Sequence, residues 1–367
     1  MYPSFIVEYG VAPHHLSKEV FIGIVKWLRE TRVEAKHTGR KLEADALKIV
    51  INRIYGALND AMDYLYDPEC TYTVTINLQL LLCGLIEAFE LNNFDVLSAN
   101  TDGLLVRLPL NRQGVFKHIC NEWSAYSKLD LETEKFEKYC RSAVNDYIAV
   151  RYGFYDALQE YNRCGVWIDS KGNTYTTRQA IEDKFIKFKG YFLQDPEYNK
   201  GFVYPVVKKA LKEYFLYGVD ITEFIRNYIN TSRTAIYDYC FSQKVAGKYT
   251  TIYKTVRDGK PVYIKCQKHN RFYICKSGGG AITKAIVPDS DNIAYGDDIS
   301  GIVVEEEKSL VAGQRVALFN DYEYKEDYNL NYGFYINEAY KILYGNGKTG
   351  KGERRGINNN SNNLFGW

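Results

Sequence analysis

Apolar residues recur with a helical period in two neighbouring stretches near the start of the chain. Across residues 18–36, Val20, Phe21, Ile24, Val25 and Leu28 are apolar, and across 42–58 the run includes Val50, Ile51, Ile54 and Leu58, with no proline. Both patterns predict helices. His37-Thr38-Gly39-Arg40 separates them, and a glycine there suits a helix C-terminus. So short a joint predicts an antiparallel helical hairpin.

The remaining pattern is mixed. Residues 1–11 read as a strand and turn. Residues 61–72, holding Asp67-Pro68, read as a link, and 74–91 as an apolar helix packed under a sheet, nearly uncharged until Glu87 and Glu90. Residues 95–99 and 104–108 are apolar strands joined by Asn100-Thr101-Asp102-Gly103, which predicts a hairpin with an aspartate at its tip. Residues 111–140 read as a charged helix ending near Lys135-Phe136-Glu137-Lys138, and 166–175 as a small hairpin. Lys187-Phe188-Lys189-Gly190 alternates basic and aromatic residues like a strand edge. Helices are expected over 205–217, 221–229 and 327–343. The Gly- and Asn-rich stretch 345–367 reads as disordered.

The polar positions of the first hairpin are ordered. Lys48, Asn52, Tyr55 and Gly56 fall at i, i+4, i+7 and i+8, on one helix face. Arg29, Arg32 and Lys36 form a row on the preceding helix, and Lys41 and Lys48 are seven apart. Two basic rows on one hairpin can converge on a polyanion, and a bare glycine beside tyrosine admits a flat group. Taken alone, the second helix is better explained as an amphipathic helix with a solvated lysine and a buried tyrosine.

Composition narrows the choices. At 367 residues and 46% hydrophobic content the chain can form two or three compact units. The net charge of +2 advertises no global attraction for nucleic acid, so any basic surface must be local. The 33 tyrosines can pack or contact bases and phosphates. Eight scattered cysteines include no Cys-x-x-Cys pair, which argues against zinc. With no recognisable signal peptide, they are expected as reduced thiols in a cytoplasm. No apolar run is expected to approach the length of a membrane span, so no membrane partner is expected. The stretch from Gly345 to Lys351 superficially fits a phosphate-binding loop but fails at Gly352, where Ser or Thr is needed.

Lys48-Ile49-Val50-Ile51-Asn52-Arg53-Ile54-Tyr55-Gly56, followed by Ala57-Leu58, resembles the Lys-x-x-x-Asn-x-x-Tyr-Gly fingers motif of family B DNA polymerases. Arg32-x-x-x-Lys36 resembles the basic pair on the partnering fingers helix. Met1-Tyr2-Pro3-Ser4-Phe5-Ile6 resembles the end of the first palm motif, Ser-Leu-Tyr-Pro-Ser-Ile. Asn100-Thr101-Asp102-Gly103 resembles a variant of the Asp-Thr-Asp-Ser turn. Weaker similarity to phage members runs on from residue 202. The resemblance implies an α+β, right-hand polymerase fold with an antiparallel palm sheet, two-helix fingers and a mainly helical thumb. The expected parts are an incomplete first palm strand (1–14), fingers (15–62), palm (63–190), thumb (191–344) and a flexible tail (345–367).

It also implies roles. Template-directed DNA synthesis from deoxynucleoside triphosphates would use two Mg2+ ions, with Mn2+ as a substitute, and Asp102 as catalytic carboxylate and metal ligand. Arg32, Lys36, Lys48 and Asn52 would hold the triphosphate, while Tyr55 and Gly56 press on the nascent base pair. Tyr2 would stand as the gate against a ribose 2′-hydroxyl; a core tyrosine is the other reading, as plain turn chemistry is for Asp102. Thr101, Tyr147, Lys187, Lys189 and Gly190 would contact primer–template DNA. In the thumb, Lys208, Lys209, Gln243, Lys244, Lys248, Gln267, Lys268 and Arg271 are candidates for phosphate contacts. Leu364-Phe365-Gly366-Trp367 reads either as a sliding-clamp peptide or as a plain terminus. The chain departs from the family at Asn100, Gly103, Asn145 and Asp146. A palm aspartate that the family places before Tyr-Pro-Ser is expected upstream of Met1. The alternative is therefore a catalytically incomplete DNA-binding fragment, or a split-polymerase subunit completed by an upstream polypeptide. A phage origin would place the protein in the host cytoplasm. An unrelated α/β protein with chance motifs is the third reading.

Overall fold

The computed structural model describes residues 1–100, 103–143, 146–190 and 204–344. The chain divides into two compact units, Met1–Glu134 and Lys135–Trp367, each of mixed helix and antiparallel sheet.

The first unit opens with helix α1 (Tyr2–Tyr9), where a strand was expected. Pro3 sits in the first turn, where its fixed φ fits and a missing N–H costs no bond. Gly10 closes the helix in the left-handed region at φ 64°. Phe5 and Ile6 are buried next to each other, and so short an apolar run has no period that separates helix from strand. Helices α2 (Lys18–His37) and α3 (Lys41–Ala57) form the expected hairpin. Ser17 caps α2 at Val20 N, and Gly39 turns the joint at φ 75°. Arg40 fastens that joint by pairing with Glu34 at 3.0 Å and Glu43 at 2.9 Å.

Helix α4 (Pro68–Leu91) begins inside the segment expected as a link. Asp67 is its cap, accepting from Cys70 N at 2.9 Å, from His14 N at 2.8 Å, and facing His14 Nδ1 at 2.8 Å. Burial opposes the Asp67 charge, but the Cys70 and His14 bonds outweigh it and bring its pKa to about 2. By length and composition α4 is sufficient to cross a membrane, contrary to the expectation that no apolar run comes close. Core helices of globular units pass the same test, and the Val74, Leu78, Leu85 and Phe89 side of α4 packs into the core of this unit. Strands β1 (Val96–Asn100) and β2 (Gly103–Val106) pair antiparallel, as expected. Helix α5 (Gln113–Ser127) is much shorter than the helix expected over 111–140. Lys128 takes a left-handed conformation at φ 54° and ends it.

The second unit begins with β3 (Phe136–Ala143) and β4 (Asp146–Arg151), then α6 (Phe154–Cys164). The small hairpin expected over 166–175 is β5 (Trp167–Ile168) with β6 (Thr174–Tyr175). Helix α7 (Arg178–Phe185) leads into β7 (Ile186–Lys189), giving a sheet of order β3-β4-β7. The palm expected over 63–190 is thus not one sheet. β1–β2 and β3-β4-β7 are separate, and the boundary between the units falls inside that stretch.

Helices α8 (Pro205–Tyr217) and α9 (Ile221–Asn227) match expectation, and α10 (Ile236–Tyr239) follows. The mainly helical thumb does not. Seven strands come next: β8 (Cys240–Lys244), β9 (Thr250–Arg257), β10 (Lys260–Cys266), β11 (His269–Cys275), β12 (Ala281–Ile286), β13 (Glu305–Ser309) and β14 (Arg315–Leu318). They make one sheet of order β10-β9-β12-β13 and one of order β14-β11-β8. Asp258 and Gly259, both at positive φ, form the two-residue turn between β9 and β10. Gly280, just before β12, exchanges both backbone hydrogen bonds with Val316 of β14, at 2.9 and 2.8 Å. A Cβ on Gly280 would lie 2.1 Å from Lys254 O, so only glycine fits there. Helix α11 (Tyr332–Tyr344) closes the described chain and starts five residues later than expected. Its Tyr335 is fully buried, donating to Tyr239 O at 2.8 Å and accepting from Ile274 N at 2.9 Å. Glu182 on α7, 3% exposed, accepts from Lys212 at 2.6 Å, Arg178 at 2.9 Å and Tyr217 at 2.5 Å.

Candidate nucleotide and nucleic-acid sites

The α2–α3 hairpin carries the first constellation. Lys48, Asn52 and Gly56 are exposed on α3, and Tyr55 beside them is half-buried. A Cβ built on Gly56 would meet no protein atom within 4 Å, so the packing of the chain does not require glycine there. The Tyr55 ring lies face to face with Tyr2, with centroids 4.0 Å apart and planes within 4°. Tyr2 and Tyr55, on α1 and α3, thus form one aromatic pair. The tip of Tyr55 is held as well, its Oη lying 2.8 Å from Thr75 Oγ1 on α4.

The cations differ in their surroundings. On α2, the Nε of Arg32 is buried with no hydrogen-bond partner among the described residues. Lys48 has no ion pair among them, whereas Lys36 lies 3.7 Å from Glu132. Arg53, inside the Lys48–Gly56 stretch but off the site face, is instead paired with Asp63 at 2.7 Å and Asp60 at 3.3 Å. A guanidinium fork and an ammonium on adjoining helices, with an aromatic pair near one end, can accept an anion and a flat ring together.

Asp102 and Thr101 lie outside the described residues, as do Asn145 and Leu364-Phe365-Gly366-Trp367. The described part of the hairpin pairs Asn100 with Gly103. Among the described residues no three His, Cys, Asp or Glu side chains gather in a way that could hold a metal ion.

The second constellation is one face of the β3-β4-β7 sheet. Register places Arg141, Tyr147 and Lys189 in one cross-strand row, and Tyr139, Ala149 and Lys187 in the next row on the same face. Phe188, between the two lysines, packs toward the core. Tyr139 stacks on Tyr147 at 4.9 Å, and Lys189 Nζ is 5.9 Å from the Tyr147 ring centroid. Burial pushes the Tyr139 hydroxyl up to about 12. Gly190 follows β7 at φ 65°. Sequence reasoning missed Arg141 and Tyr139, which only the strand register brings beside Tyr147. It missed Thr75 and Glu132 for the same reason, since each meets the hairpin from a distant element.

Among the thumb candidates, Lys209 is tied to Asp238 at 2.6 Å and Tyr228 at 2.7 Å, and Lys248 to Glu306 at 2.9 Å. Arg271 lies over the Tyr237 ring at 5.0 Å. Gln243 and Lys244 are on β8, opposite Asn270 and His269 of β11. No protein-family model and no curated protein matches the chain.

Proposed function

We propose that the chain is the polymerase part of a family B DNA polymerase, of right-hand fold, carrying out template-directed DNA synthesis from deoxynucleoside triphosphates on a primer–template. The observation that carries the reading is the parallel stack of Tyr2 on Tyr55. The two motifs that the resemblance assigns to the incoming nucleotide meet there, beside Lys48 and Asn52 on α3. In this reading Arg32, Lys36, Lys48 and Asn52 neutralise and orient the triphosphate, and the tyrosine pair and Gly56 bound its base and sugar. The Tyr147, Lys187 and Lys189 face holds the duplex backbone without reading its sequence. Magnesium, when bound, neutralises charge on the triphosphate and activates the primer oxygen. Asp102 is the residue assigned to it.

The test is nucleotide retention. The protein, a dideoxy-terminated primer–template and the next correct deoxynucleotide should form a complex that survives a competitor-DNA chase. A mismatched nucleotide should not protect it. A complex equally stable without nucleotide, or no DNA binding at all, would overturn the assignment.

A further inference from the structure

The contact between Tyr55 and Thr75 has a definite direction. Thr75 Oγ1 donates its hydrogen to Thr71 O on the preceding turn of α4, at 2.7 Å. A hydroxyl has one hydrogen and a carbonyl can only accept, so in the 2.8 Å contact the donor is Tyr55. Thr71 is buried and in turn donates its hydroxyl to the carbonyl of Asp67, the cap of α4, at 3.2 Å. The Tyr55 hydroxyl is therefore moored to the capped end of a core helix, while the ring face is covered by Tyr2.

We infer that Thr75 is a positioning residue that holds the Tyr2–Tyr55 stack assembled before nucleotide arrives. The inference rests on the nucleotide reading of that stack. A ring fixed at its face and at its tip loses little further freedom when a ligand docks, which favours binding. Its hydroxyl hydrogen is already committed, so Tyr55 offers a ligand only lone pairs and a π-face. That suits a contact that tests the shape of a base pair and sugar and is indifferent to which base is present. Truncating the anchor should therefore act on nucleotide affinity and sugar discrimination, with DNA binding unaffected.

Two measurements on the full chain test this. In the first, 3-fluorotyrosine is placed at position 55 and read by fluorine NMR without ligand. The unsubstituted chain and Thr75→Ser should show two resolved resonances for a slowly flipping ring, and Thr75→Val a single averaged one. In the second, deoxynucleotide and ribonucleotide affinities are measured on a dideoxy-terminated primer–template. Thr75→Val should weaken deoxynucleotide binding about fivefold to tenfold, the range set by loss of one neutral hydrogen bond. It should also narrow the preference over ribonucleotide, while Thr75→Ser stays within about twofold. Tyr55→Phe should match Thr75→Val, and the double variant should be no worse than either. Unchanged ring motion in Thr75→Val, or additive losses in the double variant, would overturn the inference. If the unsubstituted chain retains no nucleotide, the polymerase reading fails instead, and the fluorine spectra alone decide whether Thr75 positions Tyr55.

Discussion

The α2–α3 hairpin and the α7–α8 region of the second unit are both rich in lysine and arginine, and they treat that charge in opposite ways. Around α7 and α8 four cations have an acid: Lys212 meets Glu182, Arg178 meets Glu182 and Glu213, Lys209 meets Asp238, and Lys184 meets Asp169. On the site face of the hairpin, Lys48 and the Nε of Arg32 meet none among the described residues, and Lys36 has only the 3.7 Å approach of Glu132. The hairpin does not lack acids. It places Glu34 and Glu43 on Arg40 at the joint, and Asp60 and Asp63 on Arg53 off the site face. Counter-charges are thus supplied where the fold needs fastening and withheld along one strip. A paired cation serves the fold, and an exposed cation held without an acid, as Lys48 is, is available to an outside anion.

The sharpest way to break this contrast is at Glu182. Replacing it by alanine strands Lys212, Arg178 and Tyr217 around a buried gap, and should cost about 3 kcal/mol in denaturant unfolding. If Glu182→Ala unfolds like the unsubstituted protein, the second unit's pairs are incidental and the contrast disappears. Lys48→Ala is the counterpart and should do the reverse. Nucleotide retention on primer–template should fall tenfold or more, about 1.4 kcal/mol or above, with stability changed by less than about 0.5 kcal/mol. Lost DNA binding with normal nucleotide retention would make Lys48 a duplex contact instead.

A smaller effect sharpens the comparison within the second unit itself. Arg141→Ala and Lys189→Ala should each weaken DNA binding a few-fold and lower the slope of log affinity against log salt by about 1. Lys209→Ala, whose ammonium is already engaged by Asp238, should leave that slope unchanged. The smallest effect is a pH dependence in the first unit. His14 is raised above its ordinary 6.5, chiefly by its hydrogen bond to Asp67. Its contribution to stability is therefore complete below about pH 6.5 and is lost as pH rises through the elevated folded-state value. The stability gap between the unsubstituted protein and His14→Ala should shrink on going from pH 6 to pH 9 in paired denaturation curves. A gap that grows instead would assign the wrong partner to His14.

The parts of the chain that could be read in advance are those where a local signal agrees with the tertiary outcome. The α2–α3 hairpin has a helical period on both sides of Gly39, and α8 starts at a proline and stops at Gly218. Other parts misled. Around Pro3 the apolar run is too short to show a period, and a proline that fits a helix's first turn does not by itself announce a helix. In the expected thumb, Asp258-Gly259 is a strong hairpin signal in the sequence itself, whereas the mainly helical thumb was implied by the phage resemblance alone. At the site, spacing alone aligned Lys48, Asn52, Tyr55 and Gly56, because they share a helix face. It could not supply Thr75 for Tyr55 or Glu132 for Lys36, because each pair is joined only by packing between distant segments, nor Arg141 for Tyr147, because the pair depends on the register of β3 on β4.

The Gly280–Val316 exchange ties the β10-β9-β12-β13 sheet to the β14-β11-β8 sheet through main chain, with the Tyr253 hydroxyl donating to the same Val316 carbonyl at 3.1 Å. Such a seam has a kinetic consequence. Neither sheet can open at that point without releasing amides of the other, so the two should not behave as separate foldons. Deuterium should enter the amides of Gly280 and Val316 at a common rate, through a single opening event, and a chain pulled at either sheet should yield in one step.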